Sequence, residues 1–115
     1  MFSLLTIISA VGLATAATTP LVQRDTITVT ICKGQDLTGN CMFPSIITQN
    51  QCLGYSNTEW DNNMQSINVP SGYRCRFWDS NNCNGDSSDD LYGPGTINIR
   101  GNMRNKATSF KCYKN

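Results

Sequence analysis

Hydrophobic and polar residues alternate without a break over residues 26–31, with Ile27, Val29 and Ile31 on one side and Thr26, Thr28 and Thr30 on the other. A period of two in β-branched residues predicts a strand with one buried face. The alternation returns at 66–69, where Ile67 and Val69 point one way. At 73–78, Tyr73, Cys75 and Phe77 oppose Arg74, Arg76 and Trp78. Further strands are predicted at 96–100, through Ile97 and Ile99, and at 108–113, with Phe110 and Cys112 inward. Residues 41–43 form an extended run that Pro44 ends or places at an edge. Residues 46–57 read as irregular or as holding one short strand. Between these runs lie Gly-, Asn- and Pro-rich turns, among them 33–40, 70–72, 79–85 and 92–95. No stretch carries a helical period. Short strands at near-regular spacing predict an all-β sandwich of Greek-key type.

The 115-residue length leaves room for one domain. Residues 2–17 are apolar and end in small residues, too short for a membrane helix, so 1–17 are expected to be a secretory signal cleaved after Ala16 or Ala17. Residues 18–25 form a short leader, in which Arg24 fits a single-basic processing site and plain exposure fits equally well. The domain proper is placed at 26–115. Its six cysteines, Cys32, Cys41, Cys52, Cys75, Cys83 and Cys112, imply three disulfides in an oxidising compartment, with the pairing left open by the sequence. A zinc site is disfavoured by the absence of His and of any Cys-x-x-Cys pair. The net charge of +1, with no run of either sign, argues against nucleic acid and against electrostatic membrane lysis. No transmembrane segment and no N-glycosylation acceptor are expected.

The domain also divides into two comparable halves, 26–72 and 73–115. The opening turn Asp36-Leu37-Thr38-Gly39 aligns with Asn82-Cys83-Asn84-Gly85. The closing turn Asp61-Asn62-Asn63-Met64-Gln65-Ser66-Ile67 aligns with Arg104-Asn105-Lys106-Ala107-Thr108-Ser109-Phe110. A half of this size cannot bury its own sheet face, so two are expected to pack together.

On these residues the chain resembles the βγ-crystallin family, in the form of a single two-motif domain of the secreted microbial kind. The family's aromatic-x4-aromatic-x-Gly hairpin is matched by Trp78, Cys83 and Gly85 in the second half, with a cysteine for one aromatic. In the first half Gly39 is kept, with Cys32 and Leu37 at the aromatic positions. The family's calcium turn, (Asn/Asp)-(Asn/Asp)-x-x-(Ser/Thr)-Ser, is matched by Asp61, Asn62 and Ser66 and by Asn105, Thr108 and Ser109. Trp60 and Ile67 beside the first turn are also similar to the family's pattern. The resemblance implies two Greek-key motifs packed as a β-sandwich, stabilised here by disulfides. It further implies that Ser66 and Ser109 are structural turn serines.

The same resemblance makes Asp61, Asn62, Gln65, Asn105 and Thr108 the calcium-turn candidates, and each turn departs from the pattern. Gln65 stands where the family has a hydroxyl ligand, and Arg104 replaces the first acidic or amide ligand of the second turn. A guanidinium repels a cation and has no lone pair to offer. The turns are therefore expected to survive as structure, with Arg104 in the cation's place bonding nearby carbonyls, and no cofactor is expected.

Other constellations are weaker. Asp86, Asp89 and Asp90 read as a solvated loop. Trp78 and Tyr113 fall on the outward parity of their strands and form a candidate binding face, unless a loop covers them. Without His there is no imidazole base, paired cysteines are not nucleophiles, and nothing singles out an aspartate to pair with Glu59, so an enzyme is not expected. The reading is a small secreted, monomeric protein with an extracellular binding or structural role, its partner unknown and cell-wall polysaccharide the candidate. The alternative is an antimicrobial or killer-toxin-like protein acting on competing cells, or a host-directed effector.

Overall fold

The computed structural model describes residues 25–115. The segment expected to be a signal, 1–17, and Arg24 with the rest of the expected leader except Asp25 lie outside the described residues. The strands are β1 (Thr26–Thr28), β2 (Thr30–Cys32), β3 (Cys41–Met42), β4 (Ser45–Ile47) and β5 (Leu53–Gly54), then β6 (Ser66–Val69), β7 (Tyr73–Trp78), β8 (Leu91–Tyr92), β9 (Gly95–Asn98) and β10 (Ser109–Lys114). Short 3-10 turns occupy Gln35–Leu37 and Gly101–Met103.

Two four-stranded antiparallel sheets face each other, ordered β9-β6-β2-β3 and β5-β10-β7-β8, with β1 and β4 forming a separate ladder. Each sheet takes three strands from one part of the chain and borrows the fourth from the other: β9 joins the first sheet and β5 the second. The architecture is all-β, two Greek-key motifs packed as a sandwich.

The alternation explains which faces meet. Ile31, Ile67 and Ile97 share one rung of the first sheet, and Phe77 pairs with Phe110 in the second. Met64, Met103, Val69 and Ile99 fill the space between, all buried. Phe77 and Phe110 lie 5.5 Å apart, and Tyr55 stacks on the other side of Phe110 at 6.3 Å. Each such side chain contributes about 1.5–3 kcal/mol by leaving water.

The disulfides are Cys32–Cys41, Cys52–Cys83 and Cys75–Cys112, and no cysteine is free among the described residues. The first and third cross directly paired residues, of β2 with β3 and of β7 with β10. Cys52–Cys83 joins the segment before β5 to the turn after β7, and so ties the first part of the chain to the second. Each bond stabilises by about 2–4 kcal/mol, least for the shortest loop.

Several local expectations change. The 26–31 run is interrupted at Val29, which leaves the ladder but donates its N–H to Pro44 O at 3.1 Å and stays buried. The ambiguous 46–57 region yields most of β4 and all of β5. Tyr92, expected in a turn, belongs to β8 and pairs with Arg74.

Candidate functional site

The two closing turns are held to the two opening hairpins by matching bonds. Ser66 Oγ accepts the Leu37 N–H at 3.0 Å and donates to Gly34 O at 2.6 Å. Ser109 Oγ accepts the Cys83 N–H at 3.0 Å. Leu37 and Cys83 both adopt positive φ, 58° and 54°, followed two residues later by Gly39 and Gly85 at 77° and 83°. The residue before each serine bonds alike: Gln65 N–H to Cys32 O at 2.9 Å, and Thr108 N–H to Trp78 O at 2.8 Å. Both serines are fully buried, and their hydroxyls satisfy a buried backbone donor at Cys83 and a part-buried one at Leu37.

The calcium-turn candidates meet across the two halves. Thr108 Oγ1 donates to Asp61 Oδ1 at 2.8 Å, and Gln65 Nε2 donates to Asn105 Oδ1 at 2.5 Å. Asn62 adds a backbone bond to Ala107 O at 3.0 Å. Asn62 and Asn105 both take positive φ, 64° and 63°, a conformation that Asn tolerates better than most residues. This donor set does not fit calcium. Calcium wants six to eight oxygens with carboxylates supplying charge, and the two turns together bring one carboxylate, already bonded to a hydroxyl. The Gln65 amide presents its N–H2 end to Asn105. No group of three or more His, Cys, Asp or Glu suited to a metal occurs among the described residues. Arg104 departs from expectation: it is exposed, and its guanidinium makes no hydrogen bond or ion pair among the described residues.

Trp78 also departs. It does point outward by strand parity, but it is only 9% exposed. The chain after β7 folds back over it, with a bridge from Trp78 to Ser87 and Asp79 N–H bonded to Asp86 O. Of the expected Trp78 and Tyr113 face, Tyr113 remains at the surface, half-buried. Its hydroxyl is pushed above the ordinary range chiefly by that burial.

Register then assembles what the sequence left scattered. Tyr113, Arg74 and Tyr92 lie side by side across β10, β7 and β8. The Arg74 guanidinium sits 5.1 Å from the Tyr113 ring and 6.0 Å from the Tyr92 ring. Asp90 reaches both Arg76, at 2.9 Å, and Arg74, at 3.5 Å. Lys111 stands beside Arg76 in the next rung. The outward parity of Arg74 and Arg76 was the available signal; the contribution of Tyr92 and Asp90 was not. Behind this cluster a groove of about 600 Å³ opens between Asp89–Asp90 and β9, with Asp36 and Arg100 at its walls.

At the start of the described chain, Tyr73 donates its hydroxyl to Asp25 Oδ2 at 2.7 Å, and Lys114 approaches the same oxygen at 3.3 Å. The Tyr73 bond, then Lys114, holds the Asp25 carboxyl below its ordinary value of 3.8. The same bond pushes the Tyr73 hydroxyl above 10.0.

This fold is that of the βγ-crystallin domains. The chain is similar to a domain solved for the evolution of the eye-lens βγ-crystallin domain fold, with 10% identity and a TM-score of 0.61, over 81% of this chain and 99% of the other. It is similar to the N-terminal domain of protein S, with 15% identity and a TM-score of 0.56, over 76% and 97%. It is also similar to a βγ-crystallin domain from Clostridium beijerinckii, with 23% identity and a TM-score of 0.55, over 76% and 98%. No protein-family model matches the chain, and no curated protein matches it.

Proposed function

We propose that this chain is a small secreted, non-catalytic protein with an extracellular binding or structural role at the cell wall, working as a monomer. A signal at 1–17 and a leader at 18–25 precede one domain, 26–115, made of motifs 26–72 and 73–115. The observation that carries the reading is the set of three disulfides, one of which clamps the two parts of the chain together. A small domain cross-linked in this way suits an oxidising exterior. The closing turns act as latches between the motifs, with no dependence on calcium. No helix among the described residues is long and apolar enough to cross a membrane.

The test is expression of the full chain in a eukaryotic secretory host. The expected product appears in the medium, begins between residues 17 and 26, has no free thiol, elutes as a monomer and co-sediments with isolated wall polysaccharide. Retention in the cell with free thiols would defeat the secreted reading. Growth inhibition of sensitive yeast, without wall binding, would favour the toxin-like alternative.

A further inference from the structure

The two outer sheet faces occupy equivalent places in the duplicated fold and carry different chemistry. The matched bonds of Cys32 and Trp78 to the closing turns set the equivalence, so Thr30 corresponds to Arg76 and Thr28 to Arg74. The strands of the first sheet carry no charged side chain: Thr30, Asn68 and Thr96 share a rung, and the one carboxylate bonded to these strands, Asp36 from the neighbouring turn, is held by Asn98 at 2.9 Å. In the adjoining β1–β4 ladder Thr28 Oγ1 meets Ser45 Oγ at 3.0 Å. The strands of the second face carry Arg74, Arg76 and Lys111, in a chain whose net charge is only +1. Asp90 of the adjoining loop pairs with both arginines, and Asp86 and Asp89 of that loop are exposed and make no ion pair with them. Part-exposed ion pairs of this kind add little stability, so folding alone does not account for the cluster. What Asp90 does is hold two guanidinium forks in fixed orientation, one of them between two tyrosine rings.

We propose that this face, built on Arg74, Arg76, Lys111, Tyr92 and Tyr113, binds a carboxylate-bearing polysaccharide; the inference rests on the wall-binding reading above and names the class of polymer. A planar guanidinium fork matches a carboxylate with two bonds. Tyr92, 57% exposed beside Arg74, offers a flat ring on which a sugar can stack. Ser87 Oγ and Asn115 Oδ1, already near Arg76 and Arg74, add partners for sugar hydroxyls. A lipid surface would call for an apolar wedge next to the cations. The exposed Phe43 instead precedes β4 and the exposed Ile47 ends it, and β4 pairs with β1 and has no ladder to this sheet.

Binding is measured by calorimetry and by affinity electrophoresis with the full secreted protein. The probes are polygalacturonate, the same polymer fully methyl-esterified, chitin, neutral β-glucan, and phosphatidylserine vesicles. Polygalacturonate should bind and weaken with added salt, and the esterified polymer should not bind. Arg74→Ala and Tyr92→Ala should each weaken binding about tenfold, Arg74→Lys should restore only part of it, and Thr28→Ala on the opposite face should leave it unchanged. Tyr92 is exposed enough that its removal leaves the fold intact, which unchanged melting would verify. Binding to chitin or β-glucan that ignores these substitutions overturns this inference and leaves the wall reading standing. No binding to any polysaccharide overturns both. Equal binding of the esterified polymer, or vesicle binding lost in the same variants, overturns the assignment to a carboxylated glycan.

Discussion

Ser66 and Ser109 each replace a missing backbone partner with one hydroxyl. Removing that oxygen leaves the buried Cys83 N–H or the part-buried Leu37 N–H without its partner, a loss of about 1–3 kcal/mol. Ser109→Ala and Ser66→Ala are therefore each expected to lower the urea midpoint, with Ser66 costing more because its hydroxyl also donates to Gly34 O. The Asp25–Tyr73 bond makes a pH-dependent contribution. Asp25 is depressed when folded, so its contribution is present above about pH 3.8 and is lost as pH falls through the lower folded value. Tyr73 is raised, so its contribution is complete below pH 10.0 and is lost as pH climbs above it. Tyr73→Phe should thus destabilise at neutral pH while flattening both the acid and the alkaline limbs of stability, which denaturation across that range would read.

At the level of the element, the closing turns behave as a pair. Gln65 and Asn105 are expected to show coupling of about 0.5–3 kcal/mol in a double-mutant cycle, since the buried Gln65 amide donates to the exposed Asn105 side chain. Neither calcium nor a chelator should move the melting temperature; a ligand at about 100 times its dissociation constant would add about 2.7 kcal/mol. Periodicity made β6, β7 and β10 legible, because each sets an apolar, aromatic or cystine residue at every second place: Ile67 and Val69, then Tyr73, Cys75 and Phe77, then Phe110 and Cys112. It could not reveal β5 or β8, for a two-residue strand has no period. Alternation placed Trp78 on the outer side, yet it gave no sign that the turn after β7 would fold over the ring. The serine latches were legible from the turn pattern, whereas the Tyr113–Arg74–Tyr92 row depends on register between strands far apart in sequence. No local pattern encodes that register.

For the whole molecule, the three disulfides divide the task of holding the sandwich. Cys32–Cys41 and Cys75–Cys112 each staple strands that already pair, while Cys52–Cys83 spans the two parts of the chain. Replacing Cys52 and Cys83 together by Ser should cost about 2–4 kcal/mol while leaving the far-ultraviolet circular dichroism native. Loss of cooperative unfolding in that variant would mean that the bond is needed to form the interface rather than to secure it.

The trading of β5 for β9 has a consequence of its own. Residues 26–72 alone would present β6 with an open edge and leave β5 without a neighbour, and residues 73–115 alone would present the complementary defect. Made as separate polypeptides, the fragments should each stay unfolded or pair with a copy of themselves, and on mixing they should reassemble as a heterodimer. The peptide link after Val69 works as a tether that raises the local concentration of two partners already shaped for one another.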